Sequence, residues 1–150
     1  MTEGRALRLI AEDGADLEVI SSATQDAVLK AENIKYDRGR RRFTLEINRF
    51  QWEESTSKRG PQGRVRSLLA FDGVLGVKTR AVSKADPDLV FSILSITFTP
   101  ADEPPGGQIS ILFAGDGELR LDVEAVDATL LDSAYEWTTR HRPDHDKKRR

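Results

Sequence analysis

An α+β domain built on a curved, mainly antiparallel sheet or a partly open barrel is what the 150-residue sequence predicts. Three observations carry this expectation. At least six runs alternate apolar and polar residues with period two, and turn-forming residues separate them. Only two short stretches carry helical spacing, one near each end, giving a short N-terminal helix and a short C-terminal helix. The alternation also changes phase in mid-strand near Asn48–Arg49, as happens where a sheet bends. By strand count a pleckstrin-homology-like barrel is the nearest analogue, and an analogy of that kind confers no function.

Taken in order, residues 6–13 (ALRLIAED) read as a first strand. Asp13 is then placed to cap a helix of about three turns, with Leu17, Ile20, Ala23 and Thr24 on one face. Residues 27–37 (AVLKAENIKYD) alternate again, with Val28, Ile34 and Tyr36 in one phase. Gly39 is expected to supply a positive φ at the following turn. The return strand sets Phe43, Leu45 and Ile47 against Thr44, Glu46 and Asn48. Phe50 and Trp52 fall out of that phase, so a β-bulge is expected near Asn48–Arg49. Bulges re-aim side chains beside binding sites, which makes Asn48, Arg49 and Trp52 candidates. A bend needed only to curve the sheet would leave the same trace.

Residues 53–64 (EESTSKRGPQGR) hold Gly60, Pro61 and Gly63 and predict a loop, the segment best placed to act as a lid. From Ser67 to Ala81 the odd positions Leu69, Phe71, Leu75 and Val77 give one long strand, or two joined at Gly73. After a turn at 83–88, VFSILSITFTP (90–100) is apolar in both parities and is expected to be a central strand covered on both faces. The last hairpin follows the loop ADEPPGG. A three-residue loop, Gly115–Asp116–Gly117, would pair Phe113 with Leu119, Ile111 with Leu121 and Ile109 with Val123. Beyond Glu124, the spacing of Val126, Leu130 and Leu131 suggests the C-terminal helix, with Trp137 as a last anchor. The domain is expected to span residues 1–139, and 140–150 to form a basic tail, flexible at its end.

Composition narrows function by exclusion. Hydrophobic residues make up 38% and charged residues 32%, which fits one globular domain with a polar surface. There is no cysteine, so disulfides, thiolate nucleophiles and thiolate metal sites are out. No apolar run approaches the ~20 residues of a membrane span, and no signal peptide opens the chain, so a cytoplasmic protein without membrane contact is expected. The net charge of −2 is unevenly spread. Residues 38–66 hold nine basic against three acidic residues and residues 138–150 six against two, so the remainder is strongly acidic. The basic blocks can recruit a polyanion, or the rest of the chain can neutralise them in space.

Arg38, Arg40, Arg41 and Arg42, gathered at one hairpin turn, are the most pointed cluster. Guanidinium forks suit phosphates, and Arg49, Lys58, Arg59, Arg64 and Arg66 can extend the surface, with Phe50 or Trp52 as stacking planes. His141 and His145 are the only histidines and are weak candidates for a metal. Their spacing suits zinc on a helix, but Pro143 between them argues against helical geometry. No nucleophile elbow, P-loop or Rossmann spacing occurs. Asp122, Glu124, Asp127 and Asp132 read as a solvated acidic face instead of an acid–base pair. No catalytic residue, metal or cofactor is therefore expected.

QDAVLK (25–30), RRFTLEINRFQWE (41–53), LAFDGVLGVKTRAV (69–82), FAGDGELRLDVEAVDATLLD (113–132) and RHRPDHD (140–146) occur in that order. In this ordered set the chain resembles a small alphaproteobacterial family described as domain-of-unknown-function family 2948, from about Leu7 to Asp146. The resemblance implies a single-domain bacterial cytosolic protein, and it brings no activity and no site residues. The residues themselves favour a non-enzymatic binding domain. It would take a protein partner, or a second copy, through a sheet edge or the Arg38–Arg42 hairpin. Nucleic acid or a phosphorylated ligand at that hairpin and the basic tail is the alternative. A third reading is a small-molecule or enzyme pocket in the curved sheet, gated by residues 53–64 and marked by a cavity that Asn48, Arg49 and Asp72 share.

Overall fold

Alternation decides the architecture in the computed structural model, which describes residues 6–51, 63–83 and 85–133. In chain order the elements are β1 (Arg8–Ala11), α1 (Gly14–Ala23), β2 (Val28–Lys30), β3 (Ile34–Asp37), β4 (Arg42–Phe50) and β5 (Arg64–Phe71). They continue with β6 (Val74–Arg80), β7 (Val90–Pro100), β8 (Gly107–Phe113), β9 (Glu118–Val123) and β10 (Ala128–Asp132). All pairings are antiparallel, in the order β1-β10-β5-β4-β2-β7-β8-β9-β6, with β3 alongside β4. The expected α+β class on a curved antiparallel sheet is the observed one, and the sheet does not close. Among the described residues, no helix is long and apolar enough to cross a membrane.

The helix starts where the sequence places it. Asp13 accepts a hydrogen bond from the Asp16 backbone N–H at 2.8 Å, and the Asp16 carboxylate accepts one from Glu12 N–H at 3.0 Å. This reciprocal cap satisfies donors that the first turn otherwise leaves open. Leu17 and Ile20 are fully buried, and α1 packs against β7 and β1. The core is the inward face of the sheet: Phe43, Leu45 and Ile47 of β4, Leu69 and Phe71 of β5, and the two rows Ile109–Ile111–Phe113 and Leu119–Leu121–Val123. Each such side chain contributes about 1.5–3 kcal/mol when fully buried.

Seven local expectations are corrected. Residues 27–37 are two strands, because a 3₁₀ turn at Ala31–Asn33 shifts the phase and turns Leu29, not Val28, inward. The positive φ at the hairpin belongs to Arg41 (55°) and not to Gly39. Gly73 (φ 72°) does separate β5 from β6, but a register shift after Val74 leaves Leu75 55% exposed. Strand β7 is covered on one face only, with Val90 and Leu94 58% and 45% exposed. A register shift between Ile93 and Ser95 moves the inward position from odd to even, which is why both parities are apolar. In the last hairpin Ile111 faces Leu119 and Ile109 faces Leu121, two residues away from the expected register. The positive φ values fall at Gly115 (85°) and Asp116 (76°). An even slip keeps side chains on their face, so all six still enter the core.

The last two corrections share one cause. No bulge interrupts β4, which pairs continuously with β5 from Phe43↔Phe71 to Phe50↔Arg64. Arg49 simply takes the next inward position after Ile47. Likewise residues 128–132 form a strand, not a helix, with Ala128, Leu130 and Asp132 inward. Trp137, the tail 140–150 and most of the 53–64 segment lie outside the described residues.

Candidate functional site

Arg49 and Asp132 meet inside the protein, both side chains fully buried. The guanidinium donates through Nε (3.0 Å) and Nη2 (2.8 Å) to the two carboxylate oxygens of Asp132, and through Nη1 to the Phe50 carbonyl (3.0 Å). Ser67 Oγ donates to the same carboxylate at 2.7 Å and the Leu7 backbone N–H at 2.8 Å. Asp132 thus collects four donors from β4, β5 and the residue before β1, and its reading as part of a solvated acidic face is overturned. A carboxylate so fully engaged is a clamp and has no free lone pair aimed at a substrate.

The hairpin arginines divide among separate partners. Arg42 holds Asp72 at 2.9 and 3.3 Å, and this hydrogen bond raises the guanidinium pKa further above its ordinary value. Arg41 pairs with Glu124, and Arg40 lies 3.8 Å from Asp37. Arg38 instead stacks over the Tyr36 ring, 5.9 Å from its centroid, with no carboxylate partner among the described residues. The acidic remainder of the chain therefore reaches three of the four. Arg66 similarly pairs with Glu46 at 3.6 Å, and Arg64 lies over the Phe50 ring at 4.6 Å.

Asn48 faces outward, into an open cavity of about 330 Å³ where β2 parts from β4, together with Lys30, Glu32, Glu46 and Arg66. It is not brought together with Arg49, which points inward, or with Asp72, which sits at the opposite end of β5. A cavity shared by those three, the mark of the pocket reading, does not form among the described residues. Trp52, Lys58, Arg59, His141 and His145 lie outside the described residues. Among those that are described, no three His, Cys, Asp or Glu side chains gather as a metal site would require.

A different feature, invisible to residue-by-residue reading, is a seam between β3 and β6. Among the described residues β3 pairs with β4 and β6 with β9, and no second strand pairs along the other side of β6. The two edges touch at the hairpin end. There the Tyr36 hydroxyl donates to the Val74 carbonyl at 3.0 Å, and Val74 N–H donates to the Arg41 carbonyl at 2.9 Å. Beyond that point an apolar slot of about 160 Å³ separates them, lined by Ile34, Tyr36, Phe43, Val77, Thr79 and Val82. Its floor is the core itself, since Phe43 is only 1% exposed and stacks at a tilt on Tyr36, 6.2 Å between centroids. A second hollow at Arg38, Leu75 and Gly76 continues the seam around the hairpin tip.

A slot of this kind offers backbone donors and acceptors along an edge and apolar room for every second side chain of an extended chain. The sequence held a partial signal for it in the inward residues Val77 and Thr79. What marks the site, though, is the absence of a neighbour, and that depends on the order of strands in space.

The family model described as protein of unknown function (DUF2948) matches residues 7–145, nearly the whole chain. The chain belongs to this family. No curated protein and no solved structure matches it. For this DUF2948 member, then, the seam and the buried clamp are the features from which function is argued.

Proposed function

We propose that this DUF2948 protein is a non-enzymatic interaction domain of the bacterial cytoplasm that receives an extended segment of a partner protein by strand addition at the β3–β6 seam. The observation that carries the reading is the edge of β6, which among the described residues has no strand paired on that side, beside an apolar slot whose floor is the hydrophobic core. An open edge is a template for pairing, and natural domains guard such edges with charge. Here Lys35 and Lys78 stand on the edges themselves. They discourage indiscriminate sheet-to-sheet association while leaving the apolar slot available to a suitable chain. Nucleic acid at the Arg38–Arg42 hairpin is the weaker reading, since three of those four guanidiniums already hold carboxylates.

Strand addition makes a specific demand on the backbone. Peptides selected from a random displayed library on the folded protein are expected to slow amide hydrogen exchange along β6, at Val77 and Thr79 above all. Val77→Arg, which fills the slot with a charge, is expected to abolish their binding without unfolding the domain. Selected peptides that protect some other surface, or that bind the Val77→Arg variant undiminished, would remove the proposal.

A further inference from the structure

The outer face of β6 and β9 carries a charge arrangement that comes from their register. Lys78 of β6 stands directly across from Arg120 of β9, and Arg80 directly across from Glu118. Leu119 and Leu121, which alternate with the β9 pair, are buried, so these four side chains leave the sheet on its outer face. With Thr79 they line a hollow of about 150 Å³. Three positive charges meet one negative charge there, a net of +2.

The single carboxylate is already taken up. Glu118 Oε1 accepts from Arg80 Nη2 at 3.0 Å, and Oε2 accepts from Arg120 Nη2 at 3.3 Å and from Ser110 Oγ. Arg80 is held further by donating through Nη1 to the Asp116 carbonyl. Asp122, the next outward residue of β9, accepts from Gln108 Nε2 at 3.0 Å. Lys78 has no carboxylate partner among the described residues, and Arg120 engages only one of its three nitrogens. Like charges directly opposite on neighbouring strands repel. The fold thus sets two cations face to face over one hollow and fixes one of them, with donors to spare.

An anion between them removes the repulsion, and a guanidinium beside an ammonium suits the oxygens of a phosphate. Size narrows the ligand. Pockets that enclose a whole small molecule run from about 300 to 1,000 Å³, so this hollow takes a charged head group and leaves the rest outside. It is also a single locus, unlike the continuous basic track along which single-stranded nucleic acid runs.

We infer that Lys78 and Arg120 bind one phosphate group of a small phosphorylated molecule, with Arg80 and Glu118 holding Arg120 in position. The site lies on the outer face of the sheet and stands independently of the strand-addition reading.

Nuclear magnetic resonance titration of the full chain tests it, with inorganic phosphate and glycerol phosphate as probes and sodium chloride at equal ionic strength as reference. Both phosphates are expected to move the Lys78 and Arg120 amide signals and the Arg120 Nε signal, and to saturate. Lys78→Gln and Arg120→Gln are each expected to weaken binding about tenfold, while Arg8→Gln, on an exposed position of β1, leaves it unchanged. Without phosphate and at low salt, Lys78→Gln is expected to raise Tm by roughly 1–3 °C, because the cross-strand repulsion is gone. That rise also shows the variant to be folded. Chloride reproducing the same shifts would reduce the effect to screening and overturn the inference. So would shifts centred on the Arg38–Arg42 hairpin, or undiminished binding by both variants. If oligothymidylate binds with a steep salt dependence and neither small phosphate moves Lys78, the face belongs to nucleic acid and the inference falls.

Discussion

Asp132 is the residue on which the largest single energetic consequence turns. Its removal takes from the buried Arg49 guanidinium the carboxylate that its Nε and Nη2 hold, and orphans Ser67 Oγ and Leu7 N–H as well. Asp132→Ala is expected to cost about 3–5 kcal/mol, measured as a fall in the denaturant midpoint. The double replacement Arg49→Met/Asp132→Leu is expected to cost less than Asp132→Ala alone, because no buried charge is stranded. Glu118 makes a separate prediction. Its carboxylate accepts from Ser110 Oγ, and from Arg80 at 3.0 Å, which lowers its pKa from 4.5 to about 2. A carboxylate with a depressed folded-state pKa adds stability that is complete above 4.5 and is lost as pH falls from there towards 2. Thermal midpoints of Glu118→Gln are therefore expected to decline less steeply than those of the unaltered chain across that window. The buried pair also explains two misreadings of the sequence. In both β4 and β10 the last inward position is charged, so an unbroken period of two looks like a bulge in one strand and like helical spacing in the other. No local pattern says that Arg49 and Asp132, 83 residues apart, will cancel each other.

At the scale of the element, hairpins show what patterning can and cannot decide. The six apolar residues around Gly115 were legible as one face, because period-two alternation assigns faces without assigning register. Register is set by the turn, and positive φ at Gly115 and Asp116 centres the loop one residue earlier than the glycine spacing suggested. Gly107, at the start of β8, is a point where packing allows no side chain. A Cβ there would lie 2.4 Å from the Thr99 carbonyl oxygen and 2.6 Å from the Phe98 ring. Gly107→Ala is expected to lose about 1–3 kcal/mol or more, read from equilibrium unfolding, since a backbone atom of the paired strand must shift. The helix was the most legible element, because its cap is a local device: Asp13, Asp16 and the first buried turn lie within a few residues of one another.

The whole molecule is a sheet that nearly wraps upon itself and stops short, and its open seam is a property that no segment owns. Neither β3 nor β6 is unusual as a strand; the site exists because, among the described residues, the order of pairing ends at β6, beside β3. That is why the described candidate residues named from the sequence, with the exception of Arg38 and Arg41, lie away from the seam. Filling it should also stabilise the fold as a unit. A peptide that binds only the folded state, present at a hundredfold excess over its Kd, is expected to add about 2.7 kcal/mol, measured as a rise in Tm. Val77→Arg is expected to erase that rise.

The clamp on Asp132 joins parts of the chain that a ribosome delivers far apart in time. Leu7 and its acceptor are 125 residues apart, and all of β1 pairs with β10. At about 5–20 residues per second, the first strand waits roughly 6–25 seconds for its partner. Arg49 emerges early in that interval, with the Asp132 carboxylate not yet made. The N-terminal strand of a nascent chain therefore stays uncommitted until almost the whole domain has left the exit tunnel, and the buried ion pair marks the end of assembly, not its beginning.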